Sequence, residues 1–290
     1  MTFSTQAHTA LTSHAITLAS QKPETLAQFY QTVFGFQVHS HTLDDQEVYS
    51  LNILGDDPLV HIQAIADHQT DSKEVNQALY HMAFLLPQEK DLATLLHHLI
   101  AIGIPLEGGA DHGYSQAIYC HDPEGNGIEC YWDKPVDQWE ILEDGQIVGV
   151  TEALDIDRLL AMADSQFTHF PSGTSLGHFH LSVKDLPTMT HFYQEGMGLG
   201  LKYSFGPYAN FMASGNYHHH IALNRWNPQA SHTISTQAPG LVALHWHATH
   251  QDIEWLKNHL QDFHVTFLET EADLTFLDPM GVQHRITVVG

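Results

Sequence analysis

The sequence predicts an α+β fold: four βαβββ modules in two tandem halves, paired into curved sheets. Three observations carry this. The chain repeats itself, each copy reads as strand, helix and further strands, and one predicted hairpin strand carries a lone carboxylate among apolar residues.

The internal repeats set the frame. "HAITLASQKPETLAQFYQTVFGF" (14–36) is echoed by "HFHLSVKDLPTMTHFYQEGMGLG" (178–200), each a short strand, a polar break and a helix carrying "FYQ". "YHMAFLL" (80–86) is echoed by "LHWHATH" (244–250), and "DPEGNGIECYW" (122–132) by "DPMGVQHRITV" (278–288). Four modules follow, over roughly 10–68, 78–134, 176–227 and 241–290. They group as an N-terminal half, 10–134, and a C-terminal half, 176–290, joined by a linker, 135–175, with one short helix expected near 155–164. A single module is too small to close a core, so modules must pair. Paired modules form a sheet with a concave face crossed by the first strand of each.

The hairpin lies in "DHGYSQAIYCHDPEGNGIECYWD" (111–133). Proline presets one dihedral of the turn and glycine supplies positive φ. The second strand carries Glu129 between Ile128 and Cys130. A buried carboxylate must be paired, hydrogen-bonded or metal-bound, and Lys134 is the only basic residue close by in sequence.

Composition narrows the partners. At 290 residues and 43% hydrophobic content the chain has room for real cores. Ten Lys and Arg against 34 Asp and Glu give a net charge of −24, which disfavours nucleic acid and anionic membranes. No apolar run is long enough to span a bilayer, and the start lacks a basic region followed by an apolar block, so a cytoplasmic protein is expected. Cys120 and Cys130 sit on opposite arms of one hairpin and are expected to stay reduced. With 25 histidines, only those placed by an independent argument count.

The modules supply that argument. If they are equivalent, His14, His81, His178 and His245 occupy equivalent first-strand sites, and Arg285 stands where Glu129 stands. Two histidines and Glu129 then face a common centre in the concave face. That donor set, with positions left open, suits non-haem Fe(II), and Mn or Zn is also compatible. His81 and Glu129 come from the second module; the third ligand is His178 or His14. The cation at Arg285 leaves the fourth module without a site.

The four-module layout and the hairpin resemble the vicinal oxygen chelate superfamily, and within it the extradiol ring-cleaving dioxygenases, most closely the bacterial catechol-2,3-dioxygenase-like group. His112, Ile118-Tyr119, Asp122-Pro123, Gly125 and Glu129 match the extradiol signature, with Ala110 its one departure. The likeness extends through "LYHMAFLLP", "GHFHLSVKDL" and "YHHHIALNRW" over nearly the whole chain. It implies His81, Glu129 and His178 as metal ligands, and catalytic roles for His112, Tyr119 and a histidine of 218–220. Strand alternation puts His219 on one face and His218 and His220 on the other; His219 is preferred and His220 kept beside it. His178 lies fourteen residues before Phe192, the family spacing, whereas His14 lies fifteen before Phe29, which favours pairing of modules two and three around His178. The implied substrates are a small aromatic diol and O2, and a homo-oligomer is compatible with the sequence. The alternatives are a glyoxalase-like metal-dependent isomerase or thiol transferase, and a metal-free small-molecule binding protein.

Overall fold

The computed structural model describes residues 4–43, 46–65, 76–164, 166–230, 233–235 and 238–289. The expected end of module one at 66–68 and the last residue of module four, Gly290, lie outside the described residues.

Module one runs β1 (Thr12–Ser20), α1 (Pro23–Phe34), β2 (Gln37–Leu43), β3 (Gln46–Asn52) and β4 (Val60–Ala64). Module two runs β5 (Leu79–Leu85), α2 (Glu89–Ala101), β6 (Leu106–Asp111), β7 (Ser115–His121) and β8 (Gly127–Asp133). The connection holds β9 (Glu152–Ala153) and α3 (Ile156–Leu160), the latter inside the span where a helix was expected. Module three runs β10 (Ser175–Ser182), α4 (Leu186–His191) continued by a π-helical turn at Phe192–Gly196, then β11 (Gly200–Phe205), β12 (Ala209–Ala213) and β13 (Ile221–Asn224). Module four runs β14 (Gly240–Ala248), α5 (His250–Asp262), β15 (Phe267–Glu269), β16 (Asp273–Leu277) and β17 (Gln283–Val288).

Local chemistry accounts for the helix limits. Pro23 opens α1, where its missing N–H costs nothing. Gly35 ends it at φ +71°, packed so closely on His169 that a Cβ there would lie 2.4 Å from its Cα. Thr249 and Asp252 form a capping box at the start of α5.

The modules pair across the halves. One sheet has the order β15-β16-β17-β14-β1-β4-β3-β2, joining modules four and one; the other has β11-β12-β13-β10-β5-β8-β7-β6-β9, joining modules three and two. In each sheet the two first strands form a central antiparallel pair, β1 with β14 and β10 with β5, flanked by the parallel last strands. The two sheets and the helices share one apolar core, with Phe179 of β10 edge-on to Trp246 of β14 at 5.2 Å between centroids.

The repeated "FYQ" and "DP" motifs meet each other. Tyr30 of α1 donates a hydrogen bond to the buried Asp122 at 3.0 Å, and Tyr193 of module three donates to Asp278 at 2.9 Å. Each aspartate also accepts backbone N–H groups of its own turn, Asp122 from Glu124 and Asn126, Asp278 from Met280 and Val282. The "DP" turn therefore shapes its hairpin and anchors the helix of the neighbouring module in the same half.

Register corrects one expectation. His178 lies opposite Ala83, which lies beside Glu129; in the other sheet Ala15 lies opposite His245, which lies beside Arg285. Likewise His180 faces His81, whereas Thr17 faces Ala243. The counterparts of His178, His81 and Glu129 are thus Ala15, Ala243 and Arg285. His14 is one residue off, occupying the bulge that Gly177 occupies in β10, and His245 is two residues off. In strands this short such shifts leave no mark in the repeat pattern, and a one-residue shift in a strand turns a side chain to the opposite face.

Candidate metal centre

Three neighbouring strands carry the site. β10 alternates Phe179 and Leu181 into the core with His178 and His180 onto the open face; β5 contributes His81 and β8 contributes Glu129 to that face. The Nε2 atoms of both imidazoles converge on one carboxylate oxygen: His81 at 2.8 Å and His178 at 3.2 Å from Glu129 Oε2. All three side chains are buried, and their donor atoms lie within 4.8 Å of one another. This is the only such cluster of three among the described residues. Lys134 does not reach Glu129; its ammonium pairs with Asp111 at 2.7 Å.

Gly177 lets the second ligand strand come close. A Cβ there would sit 1.8 Å from the Tyr131 hydroxyl, so any larger residue would displace either β10 or that hydroxyl.

Electrostatics favour an ionised carboxylate at the centre. Burial opposes the charge on Glu129, but His81 and His178 beside it hold its pKa well below the usual carboxylate range. Burial lowers His178 to about 4 despite the opposing pull of Glu129. His81 Nε2 is buried and makes no hydrogen bond of acceptable geometry, although it points at the carboxylate. An unpartnered imidazole nitrogen and a carboxylate oxygen aimed at one point, with a second imidazole alongside, fit a divalent cation, whose donors sit at about 2.0–2.2 Å.

His81 and Glu129 line an open cavity of about 1160 Å³, with His178 buried beside them. His112, Tyr119, His180 and His219 line it, together with the aromatic rings of Tyr80, Tyr203, Phe205, Phe211 and Trp226. Tyr119 pairs with Glu129 across the hairpin, and burial with the carboxylate's charge pushes its phenol well above the ordinary value. His112 Nε2 lies 2.7 Å from the Tyr119 hydroxyl and its Nδ1 lies 2.8 Å from the Val150 carbonyl oxygen. A carbonyl only accepts, so a neutral His112 donates from Nδ1 and accepts a hydrogen bond from the Tyr119 hydroxyl at Nε2.

His219 reaches the cavity, its ring 4.1 Å from that of His178 between centroids. His220 does not line the cavity; its Nδ1 accepts the Ser214 amide at 3.2 Å. His14 belongs to the other sheet, stacked on His247 at 3.8 Å. There Arg285 pairs with Asp273, its Nε at 2.9 Å. Cys120 and Cys130 are buried free thiols.

Sequence reasoning passed over three contributors. His180 shares a strand face with His178, a parity visible in "GHFH", and its ring packs 4.8 Å from that of His81. Val150 and its neighbours Gly149 and Thr151 form a cavity wall from the connection between halves; nothing local in sequence marks them. Asp133, which pairs with His218 at 2.9 Å, closes the hairpin strand four residues after Glu129.

Comparisons with known proteins agree with this architecture. The profile of the glyoxalase/bleomycin resistance protein/dioxygenase superfamily matches residues 8–130 and 175–283. The chain belongs to this superfamily. Within the glyoxalase/bleomycin resistance protein/dioxygenase superfamily it is 36% identical to a protein named catechol-2,3-dioxygenase from Bacillus subtilis (strain 168), over 88% of this chain and 89% of that one. Among solved structures, a putative dioxygenase from Bacillus subtilis subsp. subtilis str. 168 superposes with a TM-score of 0.64 at 13% identity, covering 99% of this chain and 86% of that one. Glyoxalase I from Zea mays superposes at 0.57 and 12% identity, over 97% and 93% of the two chains. At those identities the two structures share the superfamily fold. No helix among the described residues is long and apolar enough to cross a membrane.

Proposed function

We propose that the protein is a metal-dependent extradiol dioxygenase that opens a catechol-type aromatic beside its diol with O2. The observation that carries this reading is the buried set of His81, Glu129 and His178 beneath a cavity that also holds His112, Tyr119 and His219. The relative named catechol-2,3-dioxygenase supports the same reaction.

His81, His178 and Glu129 would hold Fe(II), with Mn or Zn compatible with the same donors. When bound, the metal supplies Lewis acidity that lowers the pKa of a diol hydroxyl and, as iron, the electron transfer that O2 requires. The chain's own contribution is placement and proton handling. Phe211 and Trp226 give the ring apolar walls. His219, beside His178, is placed to accept a proton from the diol. Tyr119, held as a neutral phenol, and His112, fixed by Val150, line the same cavity. Each proton-handling group of this kind contributes typically about 10²–10⁴-fold.

The test is iron reconstitution of anaerobically purified protein, followed by catechol and air. Iron-dependent oxygen uptake with a yellow ring-opened product is expected, lost in His81→Ala and His178→Ala and retained in His14→Ala. Absence of uptake across several catechols, with tight binding of Zn or Ni, would overturn the reading in favour of a glyoxalase-like isomerase.

A further inference from the structure

Beside the cavity, on the opposite side of His219 from the substrate space, lies a chain of hydrogen bonds with no part in metal ligation. The carboxylate of Asp133 accepts the Tyr217 hydroxyl at Oδ2, 2.8 Å, and faces His218 Nε2 from Oδ1 at 2.9 Å. His218 Nδ1 lies 2.7 Å from His219 Nδ1. Two hydrogen bonds in a row, through His218, thus link a carboxylate at the end of β8 to the ring that enters the cavity.

Only one arrangement of protons satisfies this chain when both rings are neutral. A carboxylate only accepts, so His218 Nε2 carries the hydrogen; a neutral imidazole has one hydrogen, so His218 Nδ1 accepts. His219 must then donate from Nδ1, which leaves its Nε2 as a lone pair. The His218 ring has little freedom to turn. Tyr114 stacks on it at 4.3 Å and 13°, and Tyr217 lies against it at 4.0 Å.

We propose that Asp133 and His218 are positioning residues that lock His219 in its Nδ1–H tautomer, so that Nε2 meets the substrate as a proton acceptor. This rests on the proposed dioxygenase reading only in naming a diol hydroxyl as the proton's source. The logic is that of a carboxylate fixing the tautomer of a catalytic histidine, here passed through a second imidazole. Asp133→Asn inverts it. With Tyr217 still donating to the side-chain oxygen, the amide nitrogen turns to His218 Nε2, His218 donates from Nδ1, and His219 is driven to the Nε2–H form.

The experiment is long-range proton–nitrogen correlation NMR of the metal-free protein with nitrogen-15-labelled histidine at neutral pH. His219→Gln identifies the His219 signals. The wild type is expected to show His219 protonated at Nδ1 and bare at Nε2, and Asp133→Asn to show the reverse. In iron-reconstituted enzyme the same substitution is expected to lower kcat about 100-fold with KM little changed, the size of one proton-transfer contribution. Wild-type His219 carrying its proton on Nε2, or a tautomer indifferent to Asp133→Asn, overturns the proposal. The wild-type spectrum decides alone if the variant does not fold. A correct tautomer in a protein that cleaves no catechol sinks the dioxygenase reading and leaves this assignment standing.

Discussion

Glu129 is the residue on which the centre turns, because both imidazoles address the same oxygen of its carboxylate. Replacing it by alanine removes the only carboxylate in the cluster. Glu129→Ala is therefore expected to weaken metal binding by more than about 100-fold, since even outer partners of metal ligands cost 10–100-fold. Equilibrium dialysis with Fe(II) or Mn(II) reads this directly. Away from the centre, Tyr30→Phe leaves the buried Asp122 short of a donor and is expected to cost about 1–3 kcal/mol in urea unfolding. Much at this scale was legible in sequence. Glu129 stood out as a carboxylate among apolar residues, and the hairpin signature singled out His112 and Tyr119. What sequence could not supply was the partner of each ring, since Val150 and Asp133 meet their histidines only through the fold.

At the scale of elements, strand register decides which histidines matter. Tandem strand–helix–strand copies were readable because the turn motifs are chemically distinctive: a "DP" turn needs its aspartate for two backbone N–H groups and one tyrosine. The strands themselves are harder to align, being short and rich in histidine. That is why His14 and His245 looked equivalent to His178 and His81 although register puts Ala15 and Ala243 there. The bulge at Gly177 offers a direct check. Gly177→Ala must displace either β10 or the Tyr131 hydroxyl, an overpacking of the sort that costs about 1–3 kcal/mol. Its melting temperature is expected to fall, and its metal affinity with it, whereas alanine at His14, the equivalent bulge residue of β1, is expected to leave metal affinity unchanged.

For the whole molecule, charge and burial make two further predictions. None of the described residues lining the cavity is lysine or arginine, while Glu107, Glu124 and Glu129 all line it. A ring bearing a carboxylate meets like charge there with no lysine or arginine on the wall to pair with it. Comparison of 4-methylcatechol with 3,4-dihydroxybenzoate is expected to favour the uncharged ring by at least about tenfold in kcat/KM. Acid stability follows from the buried histidines. Burial lowers His61 to about 4 and His245 and His220 to about 3, against about 6.5 in the unfolded chain. Between those values the unfolded state binds more protons, so stability is full above about pH 6.5 and falls as the pH drops, through about 4 for His61 and about 3 for His245 and His220. Each such group contributes a slope of up to about 1.4 kcal/mol per pH unit. Urea midpoints of the metal-free protein are expected to show this slope, and His245→Gln to reduce it by about one proton.

The exchange of modules between sheets has a consequence of its own. Each half places one module in either sheet, so a half standing beside an identical copy of itself would build two equivalent sites, and any change to a ligand would strike both at once. Joining the halves in one chain breaks that bond between them. One concave face can keep two histidines and a glutamate while the other holds two alanines and an arginine, and the linker, present once, can lend its backbone to the first face without burdening the second. Covalent linkage here is what makes asymmetry heritable.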